Sequence, residues 1–281
     1  MRRRTARRKH QSAVEGTLLK RLFQRPLPPV DEAPVVAGRR PRVPEGVRVY
    51  AVGDVHGRAD LLRQLEERIQ ADAAAQPERC GNLLIYLGDY VDRGFESRQV
   101  IEHLTGPPPE GFDRVLLLGN HDLWFTTFLE GEPVGESWLR FGGDATLLSY
   151  GVPLAFDQPE EARLATAQAV LASRIPASHR ELLASLELML AVGDYLFVHA
   201  GIRPGVPLDK QVEQDVIWIR EPFLSWTGDC GKIIVHGHTV EDEPVVRRNR
   251  IGIDTGACFN GNLTCLVLEE DTRRFIATGS S

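Results

Sequence analysis

Five apolar runs in this chain stop at the same kind of polar cluster, and that recurrence constrains the fold more than any other feature. "VRVYAV" runs into Gly53-Asp54-Val55-His56-Gly57, and "NLLIYL" into Gly88-Asp89-Tyr90-Val91-Asp92-Arg93-Gly94. "RVLLL" ends in Gly119-Asn120-His121-Asp122, "YLFV" in His199-Ala200-Gly201, and "KIIV" in His236-Gly237-His238. Between the first three runs lie "ADLLRQLEERIQADAAA", with Leu61, Leu65 and Ile69 at helical spacing, and "ESRQVIEHL". Strands alternating with helices in this way predict parallel strands joined by crossovers. Residues 121 to 187 read as mostly helical, with a break at Gly142-Gly143. "LELMLAV" and "YLFVHAG" then read as a hairpin about Gly193-Asp194, followed by short strands in "KIIVHGH", "EPVVRRN", "RIGIDTG" and "LTCLVLEE". The expected fold class is α/β, with a parallel first half and a strand-rich second half.

In open α/β sheets, ligands bind beyond the carboxyl ends of the strands. Taken singly, each cluster has an ordinary explanation. Gly-Asp is common turn chemistry, Asp54 alone reads as a helix N-cap, and a lone His199 on an apolar strand reads as a core residue. Independent turns would not place Asp, His, Asp, Asn, His and His along one edge. Of the eight histidines, five stand at these strand ends; His10 lies in the N-terminal segment, and His103 and His179 fall on helical segments that suit structural roles. Carboxylates, imidazoles and one amide, with no thiolate among them, suit Mn²⁺, Fe or Zn²⁺. Six such residues are too many for one catalytic metal that keeps an open position. Two metals, roughly 3.5–4 Å apart and bridged by a carboxylate, would use them all. Arg93 adds a planar fork that matches a phosphate group. Two such Lewis acids beside an arginine suit phosphoryl transfer.

At these residues the sequence resembles the calcineurin-like metallophosphoesterases, and within them the bacterial and phage-like branch of PPP-type serine/threonine phosphatases. "GDVHG", "GDYVDRG" and "GNHD" match the three-part signature in order and spacing, and "HAG", "HGHT" and "IDTGACFNGNLTCL" match its second half, so the likeness spans about residues 47 to 269. The resemblance implies a four-layer αββα sandwich with a helical insert over 124–187, holding two divalent metals, Mn²⁺ foremost, with Fe or Zn²⁺ as alternatives. It implies that Asp54 and His56 bind the first metal, that Asp89 bridges both, and that Asn120, His199 and His238 complete the second. His121 would protonate the leaving oxygen with Asp92 hydrogen-bonded to it, a choice over Asp122 that the residues by themselves leave open, while Arg93 and Arg220 grip the phosphate beside Asn120 and His121. Attack would come directly from a hydroxide bridging the metals. His236 is no ligand in the family pattern. Asp122 stands where eukaryotic-type phosphatases carry Glu, "VHAGIRP" replaces a His-Gly-Gly form, and "GACFNG" lacks a Tyr. Diadenosine tetraphosphate hydrolases also carry GNHD and HAGI-type segments, but usually lack the acidic residue before Arg-Gly that Asp92 supplies here. The reading is therefore a phosphatase acting on phosphoserine or phosphothreonine (or phosphotyrosine) in proteins. The alternatives are a symmetrical dinucleoside polyphosphate hydrolase and, less favoured, an inactive binding module.

Charge separates the ends of the chain from one another. Residues 1–42 carry twelve Arg or Lys against three acidic residues, whereas the remainder carries 21 against 36. Residues 1–43 read as a basic, Pro-rich, disordered tail and linker, with ordered structure from about Val47 and a catalytic domain over 44–281. The tail is a candidate contact for an acidic surface, and the acidic body argues against a specific nucleic-acid partner. No apolar run reaches membrane-spanning length. Four cysteines (Cys80, Cys230, Cys258, Cys265) without a C-x-x-C pair read as reduced thiols in a cytoplasmic protein.

Overall fold

Alternation along the first strand decides the layering. In the computed structural model, which describes residues 40–75, 81–155 and 157–279, β1 (Val47–Val52) presents Val49 and Ala51 to one side and Tyr50 and Val52 to the other. Helices α1 (Ala59–Ala74) and α2 (Ser97–Thr105) cover the Tyr50 side, where Leu62, Leu65, Ile69, Val100 and Ile101 are fully buried. Each such side chain contributes roughly 1.5–3 kcal/mol by leaving water. β2 (Gly81–Tyr86) and β3 (Phe112–Leu116) pair parallel beside β1, as the strand–helix rhythm predicts. The insert follows as α3 (Asn120–Leu129), α4 (Gly135–Trp138), a π-type turn at Leu139–Gly143, α5 (Asp144–Ser149), α6 (Glu160–Arg174) and α7 (Ala177–Ala184). The expected break is present, with Gly142 at φ 103°.

The second half builds a facing sheet. β4 (Met189–Val192) and β5 (Tyr195–Val198) form the expected hairpin, and after α8 (Glu213–Trp218) come β6 (Ile233–His236), β7 (Val245–Val246) and β8 (Arg250–Gly252). The short helix α9 (Ala257–Asn260) then leads into β9 (Thr264–Glu269) and β10 (Thr272–Ala277), which return to the first sheet. The two five-stranded sheets run β10-β9-β1-β2-β3 and β4-β5-β6-β8-β7. Between them Val49, Ala51, Ile85 and Leu87 meet Tyr195, Phe197, Val235 and Ile251. On the far side of the second sheet Leu196 and Val198 are buried in the same core as Val216 and Ile217 of α8. This is the four-layer αββα sandwich.

Three local expectations shift. "EPVVRRN" supplies only the two residues of β7, and β10, hidden in sequence by Arg273 and Arg274, is an exposed edge strand. Ordered structure begins before Val47: the Val43 side chain is fully buried between the sheets, its N–H donates to Glu270 O (3.0 Å), and Arg42 N donates to Asp194 Oδ2 (2.8 Å). The rest of the predicted tail, 1–39, lies outside the described residues. Among the described residues no helix is long and apolar enough to cross a membrane, and Cys230, Cys258 and Cys265 are free thiols.

Candidate metal centre

Parallel strands in both sheets point their carboxyl ends at one edge, and backbone hydrogen bonds join those ends directly. Val55 N donates to Asp89 O (3.2 Å), His56 N to the same oxygen (2.8 Å), and Gly237 N to His199 O (2.8 Å). Among the described residues six non-glycine positions have positive φ, and five are here: His56 at 45°, Asp89 at 52°, Asp92 at 72°, Arg93 at 67° and His238 at 63°. A left-handed backbone at a side-chain-bearing residue costs of order 1–3 kcal/mol, so the surrounding structure must hold it there.

The histidines are oriented by carbonyls. His56 Nδ1–H donates to Val91 O and His199 Nδ1–H to Leu87 O, both at 2.9 Å. A carbonyl can only accept, so each ring directs its Nε2 lone pair inward. His56 Nε2 lies 3.5 Å from Asp89 Oδ2, His199 Nε2 lies 3.4 Å from Asp89 Oδ1, and Asn120 Oδ1 approaches His199 Nε2 at 3.0 Å. Two groups of potential ligand atoms, each within 4.8 Å of one another, result: His56, Asp89 and His121, and Asp89, His199 and His238. Asp89 belongs to both. Asp54, on the β1 side, accepts the backbone N–H of His238 through Oδ2 (3.0 Å) and Oδ1 (3.2 Å).

Electrostatics mark this as a site for cations. Burial, then the charges of Asp254 and Asp89, push the Asp54 carboxyl well up. Burial acts on Asp89 in the same direction, but the His199 and His121 imidazoles outweigh it and hold that carboxyl well below the usual range. Burial lowers His56, and burial with His199 pushes His238 down to about 2, so both rings are neutral and their lone pairs available. Among the described residues, buried His238 Nε2 and Asp254 Oδ2 have no hydrogen-bond partner. The chain's own cation already samples the first group: Arg93 Nη1 lies 2.8 Å from His56 Nε2 and Nη2 lies 3.1 Å from His121 Nε2. Donor chemistry, an orphaned imidazole nitrogen and a captured guanidinium all fit a pair of divalent metals.

The insert reaches into the centre, which sequence reading did not resolve. His121 Nδ1 lies 2.7 Å from Asp92 Oδ2, so Asp92 rather than Asp122 is the partner of His121. Trp138 Nε1–H donates to the same Asp92 oxygen (2.8 Å), and the Thr146 hydroxyl donates to Asp92 Oδ1 (2.6 Å) while accepting Asp92 N–H (2.8 Å). Arg93 N donates to Gly142 O (3.1 Å). Asp122 instead accepts backbone N–H groups from Asp89 (2.7 Å), Tyr90 (2.9 Å) and Gly119 (3.0 Å), pinning the end of β2 to the start of α3. Thr146→Val, which keeps shape and deletes the hydroxyl, should cost about 1–3 kcal/mol of stability and lower kcat by up to about tenfold through a looser Asp92–His121 pair. A thermal melt and a turnover assay measure both; unaltered kcat would detach the insert from the chemistry.

The remaining sequence candidates divide cleanly. Arg220 is exposed beside the second group, its Nη2 donating to His238 O (3.2 Å). His236 turns away, with Nδ1 against Gly237 O and Nε2 3.3 Å from Arg250. His103 pairs with Glu66 and His179 with Glu102 and Tyr150, the structural roles expected. Asp254, three residues into "GIDTG", was missed, because a single Asp two residues after a strand carries no signal until Asp54 stands beside it.

A mixed αββα sandwich with two His/Asp groups sharing one carboxylate at the strand ends is the architecture of a metal-dependent phosphoesterase. Residues 47–258 match the calcineurin-like phosphoesterase family model, and the chain belongs to that family. It is 27% identical over 235 residues to the asymmetrical bis(5'-nucleosyl)-tetraphosphatase PrpE of Anoxybacillus flavithermus, covering 76% of this chain and 88% of that one. It is 28% identical over 225 residues to serine/threonine-protein phosphatase 2 of Salmonella typhimurium, covering 77% and 90%. A crystal structure of a protein assigned as a diadenosine tetraphosphatase superposes with a TM-score of 0.56 at 20% identity, covering 85% of this chain and all of that one, and shares the fold.

Proposed function

We propose that this protein is a dinuclear metal-dependent hydrolase of dinucleoside polyphosphates, with phosphoprotein hydrolysis as the second reading. The observation that carries the hydrolase chemistry is the position of Asp89 between two imidazole-bearing groups. The names of the relatives support the nucleotide substrate: bis(5'-nucleosyl)-tetraphosphatases recur among them, from Anoxybacillus flavithermus to Marinomonas and Bacillus subtilis. The Salmonella phosphatase, together with Asp92 before Arg93-Gly94, supports the second reading.

In this reading Asp54, His56 and Asp89 hold one metal, and Asp89, Asn120, His199 and His238 the other. Two such ions would acidify a water and neutralise phosphate oxygens. Arg93, beside His56 and His121, and Arg220, beside His238, bring planar donor forks to the two ends of the phosphate. His121 would pass a proton to the leaving oxygen through Nε2 with Arg93 turned to the phosphate, while Asp92 accepts from Nδ1 and orients the ring. Burial raises the Asp92 carboxyl, and the bonds from His121, Thr146 and Trp138 pull it back toward the ionised form.

Comparison of kcat/KM on diadenosine tetraphosphate and on a phosphoserine and phosphothreonine peptide panel, with Mn²⁺ present, tests the substrate. The nucleotide should lead by about tenfold or more; a lead for the peptides would reverse the assignment. His121→Asn, which removes the ring assigned to proton transfer, should lower kcat by about 10²–10⁴-fold. A variant that kept near-parent kcat would remove His121 from the acid role.

A further inference from the structure

The rim of the centre is aromatic, and the phosphate chemistry does not use that feature. Trp124, on α3 three residues beyond His121, has its ring centroid 5.6 Å from the His121 ring. Trp218, the last residue of α8, lies 4.7 Å from Trp124 and 6.4 Å from His238. These two half-buried indoles therefore span the rim from one ligand group to the other. Phe141, from the π-type turn, leans on Trp124 at 5.1 Å with 31° between the ring planes and is 52% exposed. Phe259 on α9 is 68% exposed, and the Arg93 guanidinium stands 5.5 Å from its ring centre.

Packing accounts for part of this surface. The edge of Trp218 against Trp124 ties α8 to α3. It does not account for Phe141, whose outer half is left in water next to the His/Asp centre and Arg93. Apolar surface held exposed around a polar centre marks a binding site. The occupant must carry phosphate to Arg93 and the His/Asp groups while placing a flat apolar group on rings a few ångströms away. A nucleotide does both through one sugar, and stacking on aromatic rings accepts any base because every base has a π-face. Phosphoserine and phosphothreonine have no flat group to offer.

We infer that Trp124, Phe141 and Trp218 form a stacking platform for a nucleobase of the substrate. The inference rests on the dinucleoside polyphosphate reading and adds the residues that make the enzyme prefer it. Phe141, contributed by the insert, is the specificity residue that costs least to remove because it is half exposed.

Tryptophan fluorescence and steady-state kinetics test it in the full-length, Mn²⁺-loaded protein. AMP should quench the Trp124 and Trp218 emission, and inorganic phosphate at the same concentration should not. Phe141→Ala should raise KM for diadenosine tetraphosphate by about tenfold, with kcat changed by less than about twofold. Trp124→Leu should raise KM as well, and Trp124→Phe, which keeps a ring, should restore most of the affinity. Equal loss on diadenosine tetraphosphate and on a phosphoserine peptide would make the rings structural and overturn the platform. Efficient nucleotide hydrolysis with an unchanged KM in Phe141→Ala, or AMP that leaves the fluorescence unaltered, would overturn the platform alone. A wild-type enzyme that cleaves the peptide and leaves the nucleotide intact would overturn the substrate reading and the platform with it.

Discussion

Asp89→Asn is expected to reduce kcat/KM by about 10³-fold or more and to lower the bound metal below two per chain. The substitution keeps the size and shape of the side chain and deletes its charge. Asp89 Oδ1 accepts His121 N–H at 2.9 Å and faces His199 at 3.4 Å, while Oδ2 faces His56 at 3.5 Å. An amide is neutral, so both groups lose their shared anionic ligand: one keeps only the amide oxygen, and the other faces an NH₂ turned toward its imidazole lone pair. A Lewis-acid centre supplies several kcal/mol to phosphoryl transfer, which converts to the stated loss at 1.36 kcal/mol per tenfold. The His121 backbone contact survives on the amide oxygen, so far-UV circular dichroism should match the parent. Metal content by atomic emission reports the cause separately from turnover. Near-normal hydrolysis of an aryl phosphate by Asp89→Asn with Mn²⁺ would defeat the shared-carboxylate assignment.

Gly119→Ala should be almost as damaging, for a steric reason. Gly119 has φ −94°, a conformation any residue adopts, so turn geometry does not demand glycine here. Space does. An added Cβ would lie 2.1 Å from Asp89 Oδ1, 2.2 Å from Asp89 N and 2.9 Å from Asp122 Oδ2. The backbone nitrogen cannot swing aside, so the Asp89 carboxylate and the Asp122 brace are both displaced. Overpacking of this kind costs about 1–3 kcal/mol, and activity should fall by about 10²-fold or more because Asp89 serves both ligand groups. Gly81→Ala is the control. Its nearest contact would be Gly46 O at 3.9 Å, and its stability should stay within about 0.5 kcal/mol of the parent. Equal melting temperatures and equal activity for Gly119→Ala and the parent would contradict the clearance argument. Gly237 obeys the same logic, since a Cβ there would sit 2.0 Å from Asp54 Oδ1. Gly119 and Gly237 make room for carboxylates, a tighter requirement than turning the chain.

Much of the centre was legible in sequence because strand periodicity and strand-end chemistry are local. Val49, Tyr50, Ala51 and Val52 announce a strand with two buried faces, and "GDVHG" announces its polar end. Asn120, His199 and His238 could be grouped with Asp54 and Asp89 because parallel strands send their ends to one edge. The contribution of the insert was not legible. Trp138 and Thr146 read as an aromatic and a polar residue in helical text, and nothing local ties them to Asp92, 46 and 54 residues earlier. The early start of the domain was hidden too: Val43 sits in Pro- and Arg-rich surroundings that resemble a linker, yet it fills the space between two sheets.

The sequence alone determined the α/β class, the parallel first half, the five strand-end clusters and the carboxylate–imidazole chemistry they carry. Those follow from hydrophobic period and residue type, which each segment holds within itself. Only the tertiary structure decided that Asp92 rather than Asp122 partners His121, that Asp254 stands against Asp54, and that Trp124, Phe141 and Trp218 line one rim. Each is a meeting of segments far apart in the chain, and such meetings are fixed by how two sheets and an insert pack, which no local pattern encodes.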